Sequence, residues 1–307
     1  MKSSLTATNK YLLYSSFKSD PLINAGNENG LISCGGIVES VDENVPDLAH
    51  GDIVGYLSLD VSETINLSSN IAIKLSRYDP KLLALIPYGS YAMKVLRLVN
   101  PSIGMNVLIY GMDQFSLLLS QLMAISGANI FMLGSQASEN IREKTSTRLS
   151  VCKNIAFLNS SESTMVHNLP KLDRIIVTNG FTDFLAFFEN ARLTLLQKKI
   201  VVILSNEQEF DVAMFVKKGI EIAVIDDFRD VGLDDPHYVE GVKYPTGYVR
   251  WHFRENLRMF INLYLKNELL IDFFEVKVVT IDSILDYKNK MKNLAKGARY
   301  LFVVGQT

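Results

Sequence analysis

The sequence predicts an α/β protein in which a small β domain precedes a doubly wound parallel sheet. Three observations carry that expectation. Beyond Val99, six continuous apolar runs alternate with amphipathic stretches, the pattern of parallel strands covered by helices on both faces. Before Arg77 the apolar residues fall in short alternating runs bounded by turn residues, as in half-buried strands. Beyond Leu269 the chain reads strand, short helix, strand.

In order along the chain, Gly35–Val41 (GGIVESV) alternates, His50–Leu59 is a turn followed by a strand, and Asn70–Ser76 places Ile71, Ile73 and Leu75 on one face. Tyr78–Val99 is mainly helical. The six runs are Asn106–Gly111, Ala128–Gly134, Lys153–Leu158, Leu172–Gly180, Lys198–Ser205 and Ile220–Asp226. Between them, Phe115, Leu118, Leu119, Leu122 and Ile125 recur at helical spacing, and Thr182–Gln197 and Gln208–Gly219 do the same. A long helix is expected over Arg250–Leu269. Phe273–Ile281 and Arg299–Gly305 read as strands, with a short helix at Asp282–Asn293 between them.

Composition narrows the function classes. The chain has 307 residues, 48% hydrophobic, with a net charge of −2, enough to bury a full core and unlike a disordered or fibrous chain. No basic stripe points to nucleic acid. Cys34 and Cys152 lie far apart, which argues against a disulfide framework and fits a reducing cytoplasm. The first 17 residues lack the apolar core of a signal peptide. Met105–Leu133 carries Asp113 as its only charge and has the length of a membrane span. Gly104, Gly111, Gly127 and Gly134 interrupt it at intervals that suit strand, turn, helix and strand, so no membrane partner is expected.

Several segments carry a resemblance. GGIVESVDENVPDLAHGDIV (Gly35–Val54) matches the G-x-V-x-x-V-G…GD-x-V pattern of the medium-chain dehydrogenase/reductase superfamily at Gly36, Val38, Val41, Gly51, Asp52 and Val54, with Asp42 in place of a glycine. Pro101–Gly111 and Ser120–Gly134 are similar to that superfamily's entry into its nucleotide domain. Asp230–Leu257 resembles the dehydrogenase half of bacterial bi-domain oxidoreductases through D-P-x-Y…Y-P-x-G-Y-V-R-W, matched at Asp235, Pro236, Tyr238, Tyr244, Pro245, Gly247, Tyr248, Val249, Arg250 and Trp251. The resemblance covers about residues 35–301. It implies a truncated GroES-like β domain at 1–95, with 270–307 returning to it, and a Rossmann-type nucleotide-binding domain at 96–269. It departs at the zinc site: the G-H-E-x-x-G stretch reads LISCGG, with Ile32 at the histidine position. Cys34 then reads as a small core residue. His50, His167, His237 and His252 are scattered at no ligand spacing, and no metal is expected.

The nucleotide turn is altered as well. Where dinucleotide units have G-x-G-x-x-G, this chain has Gly111-Met112-Asp113-Gln114-Phe115-Ser116. Gly111 keeps the tight turn. Asp113 replaces the glycine that lets a diphosphate approach the backbone. Its carboxylate either faces the diphosphate or caps the following helix. Ser135, after the second run, stands beside the place of the acid that binds the adenine ribose in NAD enzymes, so NADP is allowed. Thr178, Asn179 and Gly180, and Ser205, end later strands in small polar residues suited to a dinucleotide. The cofactor expected is NADP or NAD, with none as the open alternative.

The other candidate is KYPTGYVRW (Lys243–Trp251). Pro245 and Gly247 shape a turn. Tyr244, Tyr248 and Trp251 offer flat faces with polar tips, and Arg250 a fork for carboxylate or phosphate. Tyr248 and Arg250 are the catalytic candidates, and Tyr244, Tyr248, Arg250 and Trp251 the substrate contacts. A structural corner in which Arg250 pairs with Asp234, Asp235 or Glu255 is the alternative. The expected function is a zinc-independent oxidoreductase of a biosynthetic pathway acting on a sugar-derived or other small hydroxy or keto compound. A non-catalytic dehydrogenase-like scaffold or partner subunit is the alternative. A homodimer and a separate oxidoreductase subunit both stay open as partners.

Overall fold

The computed structural model describes residues 4–15, 32–43, 45, 47–58, 64–68, 72–77, 79–134, 154–158, 169–178, 181–191, 193–203, 213–225, 253–271, 276–281 and 301–306. The chain falls into two compact units. One comprises Met1–Tyr91, Asp227–Glu268 and Phe274–Thr307, the other Ala92–Asp226 and Leu269–Phe273.

The first unit holds a seven-stranded sheet. Its strands are β1 (Ser4–Ser15), β2 (Ile32–Val41), β3 (Ile53–Ser58), β4 (Thr64–Ser68), β5 (Ala72–Lys74), β12 (Val276–Ile281) and β13 (Leu301–Gln306). The order is β12-β13-β1-β2-β3-β5, with β4 also on β1. β1 pairs antiparallel with β13, β2 and β4, Tyr11 facing both Gly305 and Gly35. Irregularities at Thr6/Ala7 and Asn9/Tyr11 bend it in the manner of β-bulges. β5 departs from the expected alternation: it spans three residues, and Ala72 and Ile73 are both buried. Helix α5 (Phe253–Leu265) packs against β5.

Helix α1 (Pro80–Val99) begins as its sequence dictates. Asp79 Oδ1 accepts from the Leu82 N–H at 3.1 Å, and Pro80 opens the helix where no N–H is needed. It ends on Asn100 at φ 48°, one of the few residue types that tolerate this conformation, with Pro101 next. Within this unit α1 meets α5 at Gly89, where a Cβ would run into the Phe260 ring. That close approach groups α5 with the β unit, whereas the sequence boundaries put it in 96–269.

The second unit holds β6 (Asn106–Tyr110), α2 (Gln114–Ile125), β7 (Asn129–Leu133), β8 (Ile155–Phe157), β9 (Leu172–Val177), α3 (Phe181–Asn190), β10 (Leu195–Ile203), α4 (Ala213–Lys217) and β11 (Glu221–Ile225). Each of the six apolar runs holds one strand, β10 beginning three residues ahead of its run. They form one sheet in the order β11-β10-β9-β6-β7-β8, parallel at every junction. Numbered from β6, that is 3-2-1-4-5-6, the doubly wound order of dinucleotide-binding folds. Val107–Tyr110 are each at most 5% exposed, as both-face coverage requires. On α2, Phe115, Leu118, Leu119 and Leu122 are buried, but Ile125 is 45% exposed because it ends the helix. Thr182–Gln197, expected as one helical stretch, is two elements. The helix stops at Asn190 and β10 starts at Leu195, with an irregular register on β9 between Leu195 and Lys199.

An aromatic cluster fixes α3 to the sheet. Phe184 is fully buried, with its ring 5.3 Å from Tyr110 and 5.6 Å from Phe188, which lies 5.6 Å from Phe215. Each such ring contributes about 1.5–3 kcal/mol by burial. A second anchor is polar. Buried Gln121 on α2 accepts from the Leu270 N–H at 2.7 Å and donates to the Leu270 carbonyl at 3.0 Å. Gln121→Leu leaves that N–H and carbonyl without a partner. It is expected to cost about 2–4 kcal/mol in urea unfolding, and Gln121→Glu at least as much, because a buried carboxylate oxygen then faces the Leu117 and Leu270 carbonyls to which the amide donates.

Candidate functional site

The strand order reverses between β6 and β9, and in open α/β sheets the crevice at such a point, outside the carboxyl ends of the strands, takes ligands. β6 ends at Tyr110 and the chain bends at Gly111, φ 142°. A side chain there would collide with Thr178 Oγ1, at the end of β9. Glycine is thus required twice, by the backbone angle and by the approach of the neighbouring strand. The Gly111 N–H donates to the Leu133 carbonyl at 2.7 Å and the Thr178 N–H to the Tyr110 carbonyl at 2.9 Å, which ties the three strand ends β7, β6 and β9 together.

Asp113 is the N-cap of α2. Its backbone is extended, and Oδ1 accepts from the Ser116 N–H at 2.6 Å and from the Ser116 hydroxyl at 2.5 Å. The Ser116 hydroxyl also meets Thr178 Oγ1 at 2.6 Å. With the Ser116 proton on the carboxylate, Thr178 supplies the proton for that second bond. The chain Thr178–Ser116–Asp113 therefore points its donors toward one anionic oxygen, an arrangement that polarises each bond in turn. Of the two roles open to Asp113 in the sequence, the cap is observed. It takes up one of the helix N–H groups that make such a terminus attractive to phosphate.

Around this turn the side chains of Met112 and Phe115 are 3% and 4% exposed and belong to the core. Any contact they make with a ligand is through backbone. Gln114 opens α2. Thr178 is buried, and its hydroxyl proton is committed to Ser116, with the Tyr110 carbonyl 3.2 Å away. Tyr110 itself is no acid at neutral pH: burial, and then the Asp183 charge, push its phenol up to about 12. Ser135, Asn179, Gly180, Ser205, Tyr244, Tyr248, Arg250 and Trp251 lie outside the described residues. The Ser116–Thr178 link was not foreseeable from spacing, since it joins positions 62 residues apart. Its only trace in the sequence is a small polar residue at each end of it.

In Gly35–Val54, the described residues of the GD-x-V stretch have structural duties. Gly51 turns at φ 84°. Asp52 accepts from the Ala49 N–H at 2.9 Å and pairs with Lys74 at 2.7 Å, and the Lys74 bond holds its carboxyl below the usual range. His50 bonds the Glu39 carbonyl at 2.8 Å. Among the described residues no group of three or more His, Cys, Asp or Glu gathers as metal ligands, and no helix is long and apolar enough to cross a membrane.

No family model matches the chain, and no curated protein matches it. Solved structures do. An alcohol dehydrogenase superfamily protein from Novosphingobium aromaticivorans is similar at 15% identity and a TM-score of 0.68, over 98% of this chain and 91% of that one. The CurK enoyl reductase gives 14% and 0.67 over 100% and 92%. A Vibrio vulnificus protein, CurA, solved in complex with NADPH, gives 11% and 0.58 over 100% and 91%. At these identities the likeness is one of fold.

Proposed function

We propose that this chain, whose fold is that of the medium-chain dehydrogenases and reductases, is an oxidoreductase of that superfamily. It takes a nicotinamide dinucleotide, NADP or NAD, at the β6–β9 crevice and acts without zinc on a small hydroxy or keto compound. The resemblance of Asp230–Leu257 favours a sugar-derived one. The observation that carries the proposal is Gly111, a bend with no side chain at the point where the strand order reverses. The dinucleotide supplies the hydride. The chain's part is to hold the diphosphate along the Gly111–Ser116 turn and to steady the developing oxyanion with Tyr248 or Arg250. The sequence after β7 reads Gly134-Ser135 in place of the Asp or Glu that repels a 2′-phosphate, so NADPH is expected to bind at least as well as NADH.

One observation favours a second reading. The Asp113 carboxylate, held by Ser116, opposes a diphosphate, as it would in a dehydrogenase-like scaffold or partner subunit that has lost the cofactor. Calorimetric titration with NADPH, NADH and their oxidised forms separates the two. Micromolar binding of one form is expected, and no binding to folded protein overturns the proposal in favour of the second reading. Arg250→Ala is expected to abolish turnover of a bound substrate and leave the melting temperature within about 2 °C. A large fall in melting temperature marks Arg250 as a structural corner.

A further inference from the structure

Within the β unit, a cavity of about 300 Å³ lies between β5 and α5, at the lower end of small-molecule pockets. Leu75, Leu82 and Ile261 give it apolar walls, and Arg254 and Arg258 line it from α5. Arg254 is mostly buried, at 18% exposure, yet among the described residues its hydrogen bond runs from Nη2 to Asp47 Oδ2 at a long 3.3 Å. Arg258 reaches the same oxygen only at 3.8 Å. Two guanidiniums, each a fork of N–H donors, thus share one oxygen of a half-exposed carboxylate. The other charges are engaged elsewhere. Lys74 pairs with Asp52 at 2.7 Å. Asp79 accepts from the Tyr264 hydroxyl at 2.8 Å and caps α1, with Arg77 at 4.0 Å. Glu255 attracts Arg254 from the same helix. Buried donors in native proteins have acceptors, and among the described residues the buried Arg254 Nε has none.

We infer that this cavity binds a small organic acid, its carboxylate on Arg254 and Arg258 in place of Asp47 and its apolar body along Leu75, Leu82 and Ile261. Asp47 is the resident stand-in: a single carboxylate on an exposed turn that a ligand displaces. A monoanion fits, because one carboxylate now occupies the fork. This site goes beyond the dinucleotide reading and does not rest on it.

The test is titration of the full chain with hexanoate, with hexanol and inorganic phosphate as comparisons. Hexanoate is expected to saturate one site, with hexanol about tenfold or more weaker. Arg258→Gln, at an exposed position, is expected to weaken hexanoate about tenfold. Asp47→Asn, which removes the competing carboxylate, is expected to tighten it about two- to fivefold. A purely structural Asp47–Arg254 pair predicts the reverse, lowered stability in Asp47→Asn and no gain in hexanoate affinity. Failure of hexanoate to saturate either protein, or equal binding of hexanol, overturns the inference. Tighter binding of phosphate than of hexanoate overturns the monoanion assignment.

Discussion

Asp113→Gly should tighten NADPH binding by about ten- to a hundredfold. A unit charge about 5 Å from a phosphate oxygen costs about 3 kcal/mol at an effective dielectric of about 20, and salt and side-chain rotation lower that figure. The substitution also releases the Ser116 N–H, now bonded to Asp113 Oδ1 at 2.6 Å, for the ligand. Glycine at an N-cap costs only a few tenths of a kcal/mol relative to Asp, so the variant stays folded and the comparison is clean. Asp113→Asn separates charge from bulk: it keeps a cap and removes the anion, and should recover most of the gain. Unchanged affinity in both variants would show that the carboxylate does not oppose the dinucleotide. The gain should shrink as salt is raised from about 50 mM to about 500 mM, because screening already weakens the native repulsion.

Gly111→Ala should be among the most destabilising single-methyl additions in the chain, at about 3–5 kcal/mol in urea unfolding. Two costs combine: a non-glycine residue at φ 142°, worth about 1–3 kcal/mol, and collision with Thr178 Oγ1, an overpacking cost of about 1–3 kcal/mol. The components can be separated. Gly51→Ala, at φ 84° with no atom near its added Cβ, bears the backbone cost alone and should lose about 1–2 kcal/mol. In a Thr178→Ala background the collision with Oγ1 is removed, while Ser116 Oγ at 3.0 Å and the residue-178 Cβ at 3.2 Å stay close, so the Gly111→Ala cost should fall by about 1–2 kcal/mol. An equal cost of Gly111→Ala in both backgrounds would contradict the contact between the two strand ends.

Much of this architecture is legible in the sequence, for a physical reason. Parallel strands buried on both faces need unbroken apolar runs, and Val107–Tyr110 and Ile175–Val177 show them whichever strand they pair with. Other features depend on partners that local pattern does not reveal. SLTATNKYLLYS shows no long apolar run, yet it forms β1 and pairs with three strands, because its order comes from backbone ladders to β2, β4 and β13. Thr182–Gln197 reads as one amphipathic stretch, and the pairing of Leu195 with Leu172 on β9 begins a strand within it that the local pattern does not mark. At the site, Gly111 and the two roles of Asp113 follow from the motif alone. The choice between those roles turned on Ser116, whose hydroxyl joins the cap to Thr178 across the β6–β9 junction.

The most direct test of the central claim, a dinucleotide in the β6–β9 crevice, is a backbone amide NMR titration of the full chain with NADPH. The largest shifts are expected at Gly111, Ser116 and Thr178, with little change at Ala72–Lys74 in the other unit. Saturable binding that leaves those three amides unmoved would place the nucleotide elsewhere and contradict the account. So would the absence of any shift at millimolar NADPH in both the native chain and Asp113→Gly.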